Sequence, residues 1–374
     1  MDEDTKPKIM TVIISIIAVA PMLYLCHAYL YESASLFSDN VLVLWFFFLL
    51  VIIIWAFLHT ALHELGHVIF GKLSGYEFLG VSVFGIWLLK DPNGRMRIRY
   101  LRIRGAGGGT IMTPKNGYDE NTPYALFLRG GVLMNVLTVI FLVVLIVLDI
   151  WPQMNFFIGM AAMLGLVLAI TNYIPMTFGS IVNDASLLRL FRKDDASKHC
   201  MYFLQRMFHD YLNGMKLDHH LDNVPSELPA GNRLADGVRL NIAELMIQRG
   251  MPDTAEQHIL GLLGDLKGDG TMMRLTKIYL LFVRTVYGAD KETIDAIYDE
   301  KMKKFVVAYA GAVPVAMLFL VAYGKRFNTG DASVDKIVKR FNAMMKKSKF
   351  DMSFEKRTME TVLSEQWEYL PKIN

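Results

Sequence analysis

The pentapeptide His63-Glu64-Leu65-Gly66-His67 sits inside a predominantly apolar run, Val41 to Phe70, and that placement constrains the chain more than any other feature. A helix needs about 20 apolar residues to cross a bilayer, so the run is long enough to span one. Residues four apart lie on one helix face, so His63 and His67 present their imidazoles together. With Glu64 beside the first, they make the H-E-x-x-H pattern of zinc hydrolases. Titratable groups at lipid depth are costly to bury and mark a functional site by default. The placement implies peptide-bond hydrolysis within or at a membrane.

Composition agrees with a membrane protein. Hydrophobic residues make up 53% of the chain and charged residues 20%, fewer than a soluble protein of this length carries. A net charge of +3 offers no basic surplus, so no nucleic-acid partner is expected. Cys26 lies in an apolar segment and Cys200 in a charged one, which argues against a disulfide framework. The first apolar run, Ile9 to Leu30, is too long for a cleavable signal peptide and lacks a small-residue cleavage site.

Four spans are expected: Ile9–Leu30, about residues 41–73 with the motif, Tyr124–Leu148, and Phe156–Ile174. Loop charge sets their orientation. Glu32 to Asn40 has acids and no Lys or Arg, and Trp151 to Asn155 is uncharged. Lys72, Lys90, Arg95, Arg97, Arg99, Arg102 and Arg104 follow the second span, and Arg189, Arg192, Lys193 and Lys198 follow the fourth. The expectation is a multi-pass cell-membrane protein with both termini in the cytoplasm. At about 1.5 Å per residue His63 lies roughly 33 Å along its helix from Val41, near the cytoplasmic end and within reach of water.

Between the second and third spans, Gly75–Gly117 reads as β structure. Val81 to Phe84 and Ile86 to Leu89 favour strand, Asp91-Pro92-Asn93-Gly94 is a turn signal, and Arg95 to Arg99 alternates basic and apolar residues. A β-hairpin over about residues 76–105 is expected on the inner membrane face, apolar side down. Its arginines suit anionic lipid headgroups, and an exposed strand edge would pair with an extended substrate beside the metal. Gly105 to Gly109 reads as a flexible connector.

A catalytic zinc ion keeps three protein ligands and one open position. The third ligand is His59, another histidine, or an acid near the inner end of a neighbouring span. His59 lies one turn before His63, and three ligands from one straight helix would strain the tetrahedron, which favours packing or support for it. His27, His199, His209, His219, His220 and His258 show no ligand spacing, and His219-His220 reads as a solvated pair. After the fourth span come Asn172-Tyr173-Ile174-Pro175 and then Asp184. Pro175 ends that helix, which leaves Asp184 at the depth of His63 and His67.

Together these motifs resemble the site-2 protease family of intramembrane zinc metalloproteases. The resemblance covers roughly residues 41–190. It implies His63, His67 and Asp184 as zinc ligands, Glu64 as general base, and Asn172 as a substrate-binding residue near the bound peptide. Gly130 to Asn135 is similar to the Gly-rich, Asn-ending helix start between the family motifs. Two departures stand out: the gap from Pro175 to Asp184 is longer, and Ala185 replaces the usual Gly. The extra residues, Met176 to Asn183, leave room for a loop that returns Asp184. The implied substrates are single-span membrane proteins or small hydrophobic peptide precursors. The Gly75–Gly117 insertion is well under the ~100 residues of an independent domain, too short for a PDZ domain.

From about residue 194 charge rises and the pattern becomes helical hairpins, with Leu240–Arg249, Thr254–Leu266, Met272–Tyr287, Lys291–Tyr309, Pro314–Phe327, Asp331–Lys347 and Ser353–Trp367 in turn. The layout resembles tetratricopeptide-like repeats, whose stacked helices bind peptides or proteins. Phe305–Tyr323 is nearly all apolar, but Gly311 and Pro314 interrupt it, which favours two buried helices over a fifth span.

The expected architecture is mainly α and polytopic. Residues 1–193 form a four-helix transmembrane metalloprotease core with a membrane-associated β-hairpin or sheet. Residues 194–374 form a cytoplasmic α-helical repeat domain that recruits a protein partner or substrate. The alternative from another class is a non-catalytic membrane adaptor with a structural zinc site.

Overall fold

The computed structural model describes residues 40–103, 106–119, 121–178, 181–327, 331–348 and 350–364. The expected first span, Ile9–Leu30, lies outside the described residues. The chain is mainly helical and divides into two compact units between Asp195 and Ala196.

The first unit is built on three long helices, α1 (Val41–Leu73), α2 (Ala125–Val147) and α3 (Asn155–Tyr173). All three are long and apolar enough to cross a membrane. Asn40 starts α1 by accepting the Leu42 N–H on its side chain, the usual work of an N-cap. The helices are apolar on every side. Phe46, Leu49 and Ile53 of α1 and Leu137, Ile140 and Phe141 of α2 stand exposed, which suits a hydrocarbon solvent. On the packed sides, Phe48 meets Met160, and Leu142 meets Ile158 and Ala161. Where α1 crosses α2, Gly66 faces Gly130. A Cβ on Gly66 would lie 2.3 Å from the Gly130 carbonyl oxygen, so only glycine permits this approach.

Between α1 and α2 the chain forms an antiparallel sheet of β1 (Tyr76–Val83), β2 (Ile86–Lys90), β3 (Met96–Tyr100) and β4 (Gly108–Pro114), in the order β3-β2-β1-β4. The turn at Asp91–Gly94 forms as its residues demand, with Gly94 at φ +80° and Asp91 accepting from the Asn93 and Arg95 amides. Period-two alternation holds: Ile86 pairs with Tyr100 and Leu88 with Ile98, all exposed, while Trp87 and Leu89 turn inward and are buried. The β region expected over about residues 76–105 runs one strand further. Gly108 and Gly109, read as flexible connector, belong to β4 and pair with Val83 and Ser82. A glycine run carries no alternating pattern, so its strand character comes only from the neighbour it pairs with.

After α3, a short hairpin of β5 (Thr177–Phe178) and β6 (Ile181–Val182) turns the chain back. The amphipathic helix α4 (Asp184–Lys193) follows.

The second unit begins in the first turn of α5 (Asp195–Asn213), which a 3₁₀ turn (Asp218–Asn223) follows. It continues through α6 (Arg233–Gln248), α7 (Pro252–Asp265), α8 (Thr271–Tyr287), α9 (Lys291–Asp295), α10 (Glu300–Tyr309), α11 (Pro314–Phe327), α12 (Asp331–Lys347) and α13 (Ser353–Leu363). Phe282, Phe319 and Phe341 are fully buried in its main core. A second cluster joins Cys200, Phe203 and Met207 of α5 to Val238, Ile242 and Leu245 of α6. The segment expected as one helix over Lys291–Tyr309 is two, because Asp299 caps a fresh start by accepting the Met302 N–H. The apolar run Phe305–Tyr323 is likewise broken between α10 and α11, and each piece is too short to cross a bilayer. His220, expected in a solvated pair, is buried.

Candidate metal centre

Three side chains from two helices converge. His63 Nε2 lies 3.0 Å and His67 Nε2 3.2 Å from Asp184 Oδ2, and the two Nε2 atoms lie 3.2 Å apart. A tetrahedral ion with bonds of about 2.0 Å holds its donors about 3.3 Å apart. The donor set is thus already spaced for a divalent ion, with the fourth position left to water or substrate. Two nitrogens and a carboxylate oxygen suit zinc. Both histidines are buried, and Gly131 of α2 makes room for them. A Cβ there would lie 2.4 Å from His63 Nε2 and 2.6 Å from His67 Nε2.

The longer Pro175–Asp184 gap is closed by Asn183. Its Oδ1 accepts the Met176 and Ser186 amides, and its Nδ2 donates to the Thr171 and Ile174 carbonyls, at 2.7 to 3.1 Å. Ser186 Oγ adds a bond to the Met176 carbonyl. Asn183 therefore caps α4 and binds the hairpin to the end of α3. Asp184, relieved of capping, points its carboxylate at the histidines. Burial pushes that carboxyl up, and the His67 and His63 imidazoles overcome it, holding it well below the usual carboxylate range.

The histidines are supported on their far sides. His67 Nδ1 lies 2.9 Å from the Phe127 carbonyl, an acceptor only, so Nδ1 carries the proton and the Nε2 lone pair is free for a metal. His63 Nδ1 lies 3.2 Å from the Asn135 side-chain amide. On the other side of Asn135 is His59, whose Nε2 donates to the Ala161 carbonyl at 2.8 Å. In one orientation of the Asn135 amide, its Oδ1 and His59 Nδ1 are buried without partners. Oxygen and nitrogen of an amide exchange places by a half-turn. After that turn Asn135 donates to His59 Nδ1 and accepts from His63 Nδ1, which frees the His63 Nε2 lone pair as well. The residues present fit a bound ion.

Glu64, next to His63 on α1, meets the sheet at β4. It is buried, and Thr110 of β4 donates its hydroxyl to Glu64 Oε2 at 2.7 Å. Gly108 lets the strand come this close, since a Cβ there would lie 2.5 Å from Glu64 Oε1. A cleft of about 520 Å³ opens beside Asp184, lined among others by Asn172, Pro175, Arg129 and Arg189. Asn172 Nδ2 donates to the Leu168 carbonyl of its own helix at 3.0 Å, so its side-chain oxygen is the group left for a ligand. His59 takes no part in the donor set.

Sequence reasoning gave no role to Thr110, Asn183 or the Phe127 carbonyl, and it noted Asn135 only by resemblance. Asn135 carried a usable signal, being a polar residue inside an apolar span, as His63 and His67 are. Thr110 and Asn183 carried none. No family model, curated protein or solved structure matches this chain.

Proposed function

We propose that this chain is an intramembrane zinc endopeptidase of the site-2 protease type, acting on a membrane-embedded segment or a small hydrophobic peptide precursor. The observation that carries the reading is the juxtaposition of a three-donor set spaced for a tetrahedral ion with a buried glutamate held by a strand at 2.7 Å.

His63, His67 and Asp184 would hold the ion. Bound there, zinc lowers the pKa of water and polarises a carbonyl. Glu64 takes a proton from the attacking water and delivers it to the leaving amine. Thr110 fixes which carboxylate oxygen is free for that work. A helical substrate hides its carbonyls in its own hydrogen bonds, so the scissile segment must be extended. β4 is an edge strand beside Glu64 and supplies backbone partners for such a segment. Asn172, on the cleft, would hold the peptide on its other side. The exposed row Ile86, Leu88, Ile98 and Tyr100 would lie against lipid.

In this reading Ile9–Leu30 completes a four-span core with both termini in the cytoplasm, and the helical unit is a repeat domain that recruits the substrate or a partner. The alternative of an adaptor with a structural metal has no use for a buried glutamate beside an open position. Glu64→Gln separates the two. The variant should keep its zinc and lose cleavage, read by mass spectrometry of membrane peptides from cells with wild-type or variant chain. An unchanged peptide profile would sink the protease reading.

A further inference from the structure

The second unit holds another cluster of metal-binding side chains, unrelated to the first in sequence. Asp210 of α5 and His219 and His220 of the 3₁₀ turn bring one donor atom each to within 4.8 Å of one another. His220 Nε2 lies 2.9 Å and His219 Nε2 3.4 Å from the same oxygen, Asp210 Oδ2. Their rings lie side by side, 4.2 Å apart and tilted by 34°. We infer that Asp210, His219 and His220 form a second divalent-metal site of the zinc class.

The surroundings are arranged as a metal site needs. Asp210 Oδ1 is held by His209 Nδ1 at 3.1 Å, and Asn213 Nδ2 donates to His209 Nε2 at 3.0 Å. The same Asn213 nitrogen donates to the His209 carbonyl, which fixes the amide's orientation. His209 is thereby the tautomer that donates to Asp210 and leaves Oδ2 for an ion. On the other flank, Arg249, just after α6, donates to the Asp218 carbonyl at 2.5 Å and pins the start of the turn. Asp210 and His220 are buried, while the His219 side chain is 48% exposed. His219 thus has room to close on an ion, and the open side admits water as a fourth ligand. At 3.4 Å, His219 gains little from an oxygen that His220 already occupies. A shared cation would hold both. Filled, the site would clamp the turn onto α5.

The test counts ions on the full chain in detergent, with the first centre removed by His67→Ala. After equilibration with Zn2+ and desalting, that variant should retain one ion per chain. Adding His219→Ala, a change at an exposed position, should reduce it to none. Asp210→Asn, which keeps size and an acceptor oxygen, should do the same, with unchanged helical circular dichroism in both. No ion in the His67→Ala chain, or an ion indifferent to His219→Ala, overturns the site. Failure of the first centre reads differently: wild type and His67→Ala would then hold the same number of ions.

Discussion

Thr110 and Glu64, 46 residues apart, share a hydrogen bond of 2.7 Å between a sheet edge and a buried carboxylate. It joins the element suited to hold an extended peptide to the group suited to move a proton. Thr110→Val keeps the shape and removes the hydroxyl. A hydrogen bond to a charged group contributes about 1.5–3 kcal/mol, so kcat should fall by roughly 10- to 100-fold. Zinc content should not change. An undiminished rate would show that Glu64 needs no such anchor.

Asn135 links His59 to His63 through one amide. Asn135→Leu fills the space and removes both bonds, and the loss of such an outer partner weakens metal binding by about 10- to 100-fold. Competition with a chromophoric chelator measures this directly. Affinity equal to wild type would contradict the amide's role.

Asn183 makes four hydrogen bonds that tie Met176 and the start of α4 to the end of α3. Asn183→Ala should release Asp184 from the histidines, so the chain loses most of its zinc at the first centre while all three ligands and Glu64 remain. The cap alone is worth about 1 kcal/mol, which leaves the span helices intact by circular dichroism. Full retention of that zinc in Asn183→Ala would rule out the strap.

Gly131→Ala places a methyl where the imidazoles lie, 2.4 Å from His63 Nε2. Metal binding should be lost with little change in helix content. A variant that binds zinc normally would mean that α2 yields at this point.

In the second unit, burial pushes the Glu355 carboxyl from 4.5 up to about 7, and the Glu244 charge adds to the effect. Between those values the folded chain keeps a proton that the unfolded chain releases. Stability from this group is therefore full below about pH 4.5 and is lost as pH rises through 7, at a cost of about 3 kcal/mol. Glu355→Gln should flatten that slope and stabilise the unit at pH 8, as urea unfolding at pH 5 and 8 would read. Parallel slopes in wild type and variant would reject the assignment.

Much of this arrangement was legible along the chain, though unevenly. The long helix through His63 and His67 is written in hydropathy and in the spacing of two histidines. The turn at Asp91–Gly94 and the alternation on either side of it are equally local. β4 was missed because its first residues are glycines, whose lack of side chains reads as flexibility and here serves close approach to Glu64. The split of Lys291–Tyr309 was missed because Asp299 looks like one more helix-surface acid until its carboxylate is seen to cap.

By itself the sequence determined that two imidazoles and a carboxylate share one long apolar helix, because helical periodicity and hydropathy act over a few residues. Only the tertiary structure decided what meets them: Asp184 through the Asn183 strap, Thr110 across a glycine edge, and Asn135 between two histidines. Those encounters depend on how loops close and how near two backbones approach. The Gly66–Gly130 crossing sets that nearness, and no short-range pattern encodes it.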